Sequence, residues 1–156
     1  MKILITASGL SHIRSFHLPY IREFKLRGDT VHVAAGGKMG EIPFADSVFP
    51  APFRKKMTAP DNFRAAGILR KLVKEEKYGL IITHTALAAF FTRLAVMGLK
   101  ARPKLINVSH GYLFDDETPA MKRTVLLAAE KLTAGVTDRL LTMNGYDLKL
   151  ARKHRL

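Results

Sequence analysis

Three short stretches combine a histidine with small, hydrogen-bonding neighbours: Ser8-Gly9-Leu10-Ser11-His12, His84-Thr85 and Ser109-His110-Gly111. An imidazole both donates and accepts, a hydroxyl does the same, and a peptide N–H beside glycine can come close to an oxyanion. These residue types therefore suit sugar hydroxyls or the oxygens of a phosphate. Gly9 either offers one such N–H to a phosphate or simply permits a turn. Gly111 leaves room for a ligand while the His110 ring, or its backbone, bonds a sugar hydroxyl; the alternative is a buried histidine satisfied within its own loop.

Other chemistries lack their residues. The segment Ala7 to His12 holds no G-x-G-x-x-G, so the pyrophosphate turn of nicotinamide dehydrogenases is not signalled. Ser109 follows an apolar run as the serine of a nucleophile elbow would, but Asn107 stands where G-x-S-x-G needs its first glycine. His12 and His17 are five apart rather than four, with no H-E-x-x-H and no carboxylate-rich loop, so no metal is expected. Asp115-Asp116-Glu117 is an acidic triplet in a basic chain. It reads as the negatively charged start of a helix, or, if one carboxylate reaches the ligand crevice, Asp116 becomes the base that activates an acceptor hydroxyl.

The elements that would position these groups alternate. Short β-branched runs at Lys2–Thr6, Thr30–Ala35, Ser47–Phe49, Leu80–Thr83, Lys104–Ser109 and Arg139–Thr142 read as six strands. Between them lie helical patterns. One follows Ser8-Gly9 with Ile13, Phe16, His17, Tyr20, Ile21 and Phe24 on one face, and Pro19 makes a late start near Ser15, or else a kink, the expectation. A second runs from about Asp61 to Lys77 with Phe63, Ile68, Leu69 and Leu72 inward and Arg64, Arg70, Lys71 and Lys74 in water. A third, Ala86 to about Leu99, is apolar nearly all round except at Arg93. The fourth is introduced by Thr118-Pro119 and turns Leu126, Leu127 and Leu132 inward; the last is capped by Asn144 with Asp147 three residues on.

Alternating strands and helices specify an α/β, doubly wound parallel sheet of Rossmann-like type, one domain over 1–156. Ligands of such a sheet bind beyond the carboxyl ends of the strands, near the point where strand order reverses. That rule gathers Gly9, Ser11, His12, His84, Thr85, His110, Gly111 and Asn144 as candidate substrate contacts.

Bulk properties narrow the partners. The chain has 156 residues, 47% of them hydrophobic, and no cysteine, so stability must come from packing rather than disulfides. No apolar stretch of signal-peptide or membrane-span length appears, so a cytoplasmic protein is expected. With 26 Lys plus Arg against 13 Asp plus Glu the net charge is +13, which calls for an anionic neighbour: nucleic acid, an anionic lipid surface or a lipid-linked diphosphate. Arg54, Lys55 and Lys56, with Arg70 and Lys71 on the following helix, are the candidate membrane-facing cations. The apparent placing of most aromatic residues on core faces argues against a nucleic-acid partner.

The sequence as a whole carries a resemblance. His12-x-x-x-Phe16-His-Leu-Pro-Tyr20, Val31-His-Val-Ala-Ala35, His84-Thr85, Val108-Ser-His-Gly-Tyr112, Glu130-Lys-Leu132 with Thr137-Asp138, and Asn144-x-x-Asp147 stand in the order and spacing found in glycosyltransferase family 4. The likeness is to the N-terminal, acceptor-side domain of capsular and exopolysaccharide enzymes and covers essentially the whole chain. It implies one lobe of a two-domain GT-B enzyme whose C-terminal donor-binding domain is absent from this chain. It also implies a nucleotide-sugar donor as substrate, retention at the anomeric carbon, no cofactor and no obligatory metal. The acceptor would be a lipid-linked saccharide at the inner face of the plasma membrane, in surface polysaccharide synthesis. His110 matches the family histidine that approaches the transferred sugar, and Gly9 the first-strand loop near the donor diphosphate, although Ser8-Gly9 replaces the adjacent glycines of many relatives. The isolated domain is then expected to be inactive and to bind sugar nucleotide only weakly. The competing reading is a non-catalytic basic module that grips nucleic acid or anionic membrane.

Overall fold

The computed structural model describes residues 1–156. Its strands are β1 (Lys2–Ala7), β2 (Thr30–Ala35), β3 (Ser47–Pro50), β4 (Leu80–His84), β5 (Lys104–Ser109) and β6 (Arg139–Thr142). The helices are α1 (Leu10–Phe16), α2 (Leu18–Leu26), α3 (Pro60–Glu76), α4 (Ala86–Val96), α5 (Ala120–Ala134) and α6 (Gly145–His154). Every pairing is parallel, and the sheet order is β3-β2-β1-β4-β5-β6. The doubly wound α/β sheet expected from the alternation is therefore present.

Strand position follows composition. The central β1 and β2 bury five of their six residues, because helices cover both faces of a parallel sheet, whereas the edge strand β6 alternates between exposed and half-buried. Parallel neighbours require crossovers, and the chain leaves β1 in one direction and β4 in the other. One core, with Ile3, Ile5, Leu10, Ile13, Ile21, Val31 and Val33, forms under α1 and α2. The other, with Leu4, Leu69, Ile81, Phe91 and Leu105, forms under α3 and α4. Strand order reverses between β1 and β4, the point at which a sheet of this kind places its ligand.

Expectations for three of the helical stretches need correction. The helix after β1 starts at Leu10 rather than near Ser15 and takes the alternative expected from Pro19, a break, at His17 (φ −118°, ψ 0°), so Pro19 falls in the first turn of α2, where its missing N–H costs nothing. The break turns His17 inward and leaves Phe16 and Tyr20 exposed. On α3 the buried face runs through Asn62, Ala65, Ala66, Leu69, Leu72 and Val73, so Phe63 and Ile68 are largely outside. The two alanines let α3 approach α4 closely, and the Phe63 ring stands edge-on to Phe91 at 5.3 Å. On α5 only Thr133 is fully buried and Leu132 is exposed; Pro119 occupies the cap and the helix begins at Ala120.

Arg93, the odd residue of the apolar α4, is explained by α5. Its Nη2 donates to Glu130 Oε2 at 2.7 Å and its Nε to Ala89 O at 3.2 Å, with side-chain exposures of 3% for Arg93 and 13% for Glu130. The buried charge is thus paired with a carboxylate and also bonded to a helix carbonyl, as burial demands. No helix is long and apolar enough to cross a membrane.

Candidate functional site

The carboxyl ends of β1 and β4 are fastened to each other at the reversal. Thr85 accepts the Ser8 backbone N–H at 3.0 Å, and the two hydroxyls lie 2.7 Å apart. Thr85 itself has φ 64°, a left-handed backbone rarely adopted by a β-branched residue and found where surrounding structure over-determines it. Behind this junction Gly36 ends β2. A Cβ there would sit 2.6 Å from Ser8 O, so the loops after β1 and β2 meet back to back only because position 36 is glycine.

Four histidines converge on the same mouth. His12 projects from α1, His17 from the α1–α2 break, His84 from the last residue of β4, and His110 from the loop after β5. His84 Nδ1 and His110 Nε2 are hydrogen-bonded at 3.1 Å. The His17 and His84 rings stack with centroids 3.7 Å apart, and His12 meets His110 edge-on at 4.9 Å. Gly111, with φ 125°, gives the chain the turn that leaves His110 exposed at the rim. His17 and His84 are buried beneath it.

Burial sets the charge state of this group. Desolvation, reinforced by the other rings, depresses His84 to about 2 and His17 to about 4. Burial also lowers His12, with repulsion from His110 added, and lowers His110. All four rings are neutral at pH 7, each with one N–H and one lone pair. In the His84–His110 pair one ring donates and the other accepts, which couples the tautomers of the two rings. A neutral, oriented imidazole can hydrogen-bond a substrate hydroxyl in either sense.

Other expected site residues fall in different places. Gly9 caps α1 with an ordinary extended φ, and a Cβ there would meet only Ser11 Oγ at 3.5 Å, so packing does not require glycine. Ser11 is exposed at the start of α1. Asn144 spends its amide on the α6 cap, accepting from Asp147 N at 2.8 Å and donating to Asp147 Oδ2 at 2.6 Å. Asp116 lies in the loop before α5 and pairs with Lys153 at 3.1 Å, which holds its carboxyl below the usual range. The acidic triplet lies in the loop before α5, not in its first turn.

The basic segment is organised by a residue that the sequence pattern does not single out. The fully buried Asn62 side chain accepts from Arg54 N and donates to the carbonyls of Arg54, Lys56 and Met57 at 2.7 to 3.3 Å. Lys55 and Lys56 are exposed, while Arg54 pairs with Asp61 at 2.8 Å and Lys71 lies 3.8 Å from Glu75. Arg70 is not in water as expected: its Nη1 donates to Ala95 O and Met97 O at 2.9 and 2.8 Å and satisfies the carboxyl end of α4. A roomy hollow of about 950 Å³ lies between α1–α2 and the segment from Met39 to Val48; none of the four clustered histidines lines it.

Comparison with known proteins places this geometry in context. A family described as Glycosyltransferase Family 4 matches residues 20–155. The glycosyltransferase EpsD of Bacillus subtilis (strain 168) is 32% identical over 147 residues, covering 94% of this chain and 38% of that protein. The chain therefore spans well under half the length of that relative. Among solved structures, a sucrose-phosphate synthase from Thermosynechococcus elongatus superposes with a TM-score of 0.68 at 11% identity, over 98% of this chain and 82% of that one. The lipopolysaccharide outer core galactosyltransferase WaaB gives 0.67 at 11%, over 100% and 43%. A UDP-N-acetylglucosamine 2-epimerase from Listeria monocytogenes gives 0.65 at 12%, over 97% and 41%. At such low identity these three likenesses establish the fold and nothing finer.

Proposed function

Because the chain belongs to glycosyltransferase family 4 and folds as one lobe of a GT-B enzyme, we propose that residues 1–156 form the N-terminal, acceptor-side half of a retaining glycosyltransferase. The complete enzyme transfers a sugar from a nucleotide-sugar donor to a lipid-linked saccharide during surface polysaccharide synthesis, at the inner face of the plasma membrane. The donor half lies in the larger share of the relative that this chain does not cover. One observation carries the reading: an exposed, neutral histidine at the mouth of the sheet, His110, held by a 3.1 Å bond to the buried His84.

In this reading His110 hydrogen-bonds the transferred sugar, and the Ser8-Gly9 turn faces the donor diphosphate. His12 and Thr85 line the same crevice. A cleft shared between two lobes leaves the isolated chain without the cationic groups that stabilise a departing nucleotide diphosphate, so alone it does not turn over. Its affinity for a sugar nucleotide is on the order of millimolar or weaker, about 4 kcal/mol. The test is transfer of labelled sugar to a lipid-diphosphate-linked acceptor by the full-length protein. His110→Ala should lower kcat by roughly 100-fold or more, as for loss of one transition-state hydrogen-bonding group. Undiminished transfer by His110→Ala, or micromolar binding of a uridine or guanosine diphosphate sugar by the isolated chain, overturns the assignment.

A further inference from the structure

The histidines at the mouth have more unspent bonding capacity than sugar contact uses. One ring nitrogen from each of His12, His17 and His110 lies within 4.8 Å of the other two. His12 Nε2 and both ring nitrogens of His17 are buried with no hydrogen-bond partner, and His17 is only 3% exposed. Unpartnered buried ring nitrogens cost free energy, and such nitrogens lying within reach of the imidazole at the rim are poised for a group that takes lone pairs.

We propose that His12, His17 and His110 form a binding site for a divalent transition-metal ion of the zinc type. The donor set is all imidazole, without carboxylate or thiolate, which suits Zn²⁺, Co²⁺, Ni²⁺ or Cu²⁺ and not the oxygen-seeking Mg²⁺ or Ca²⁺. A tetrahedral ion about 2.1 Å from each nitrogen sets them about 3.4 Å apart, so small ring rotations close the 4.8 Å span. Three histidines leave one position for water or an incoming oxygen ligand. His84 supplies the outer support such sites use: with His110 bound through Nδ1, its Nε2–H donates to His84 Nδ1 across the observed 3.1 Å. The exposed rim at His110 makes the ion exchangeable. An ion held there occupies the imidazole that the preceding section assigns to the sugar, so metal and sugar compete; this consequence alone rests on that assignment.

The experiment is titration of the full-length, tag-free protein, first stripped with a chelator, with ZnCl₂ by calorimetry and with CoCl₂ by visible absorption, no sugar present. One ion per chain is expected, together with the ligand-field bands of low-coordinate Co²⁺. His12→Gln, His17→Gln and His110→Ala should each abolish the stoichiometric event, and His84→Gln should weaken it about 10- to 100-fold. His154→Gln, on the last turn of α6, should leave it unchanged. Should the buried His17 variant fail to fold, the rim variant His110→Ala, checked by circular dichroism, still decides. Absence of stoichiometric binding, or binding by His110→Ala equal to wild type, overturns the proposal. Either outcome leaves the sugar-transfer assignment standing, since that is read from transfer by metal-free protein.

Discussion

The hydroxyl of Thr85 takes the Ser8 backbone N–H at 3.0 Å and shares a 2.7 Å bond with the Ser8 hydroxyl, joining the two strands between which the sheet reverses. Thr85 holds a left-handed backbone to do so. Thr85→Val keeps the shape and the backbone strain but removes the acceptor. It should cost about 1 kcal/mol in urea unfolding, the magnitude for loss of one part-buried hydrogen bond. Thr85→Ser should recover most of that. Equal stability of the Val and Ser variants would show that the junction contributes nothing.

The Arg93–Glu130 pair ties α4 to α5 out of water. Removing one partner leaves the other charge buried, so Glu130→Leu should destabilise by about 3–5 kcal/mol. The double variant Arg93→Met with Glu130→Leu should lose much less than the sum of the singles. Additive losses in a double-mutant cycle would mean that the two side chains act independently.

Acid should weaken the chelator-treated protein earlier than carboxylates alone would. His84 and His17 have folded values of about 2 and 4 against an ordinary 6.5. The unfolded chain therefore takes up protons first, and stability, level above pH 6.5, falls as pH drops from 6.5 toward 4. Each such histidine contributes up to about 1.4 kcal/mol per pH unit in that window. Urea midpoints at pH 6.5, 5.5 and 4.5 should decline in that order, and His84→Gln should flatten the decline. Asp138, held to about 2 by Arg102, adds its own loss only below its ordinary value of 3.8. Level midpoints from pH 6.5 to 4.5 would refute the account.

Membrane attachment should divide the basic residues unequally. Lys55 and Lys56 are free at the surface, whereas Arg54 is paired and Arg70 is bonded to α4 carbonyls. In co-sedimentation with anionic vesicles, neutralising Lys55 and Lys56 should remove about 1 kcal/mol each, and binding should weaken as salt rises. Arg70→Met should reduce thermal stability more than binding. Equal binding to zwitterionic vesicles, or tighter salt-dependent binding to RNA, would favour the reading as a basic module.

The sheet was legible because buried parallel strands are short, β-branched and bounded by glycine or polar residues. Thr30–Ala35, Lys104–Ser109 and Arg139–Thr142 emerge at the ends read from the sequence. The helices misled where their periodicity ran on through a break. Phe16 and Tyr20 carry the apolar spacing on either side of His17, yet at the kink both are exposed and His17 turns inward. The same kink hid the histidine grouping. A separation of five residues is wrong for one face of a continuous helix, but across a bend both rings reach one point. His84 and His110 arrive from strands whose adjacency depends on the sheet order, and the sequence reading placed them at a common crevice without their mutual bond. Asn62 was invisible for a related reason: its partners are backbone carbonyls, which carry no side-chain signature.

That buried amide has a consequence for how the chain tolerates length changes. The stretch from Arg54 to Met57 is shaped by a side chain on the very helix it leads into, through bonds to four fixed backbone positions. Adding or deleting one residue between Met57 and Pro60 would put every one of those positions out of step with Asn62. In the connection from β2 to β3 the stretch from Gly37 to Ala45 carries no such template, its side-chain tie being Arg14 to Glu41 O. Natural insertions and deletions should therefore collect between Gly37 and Ala45, and the basic turn should keep one length.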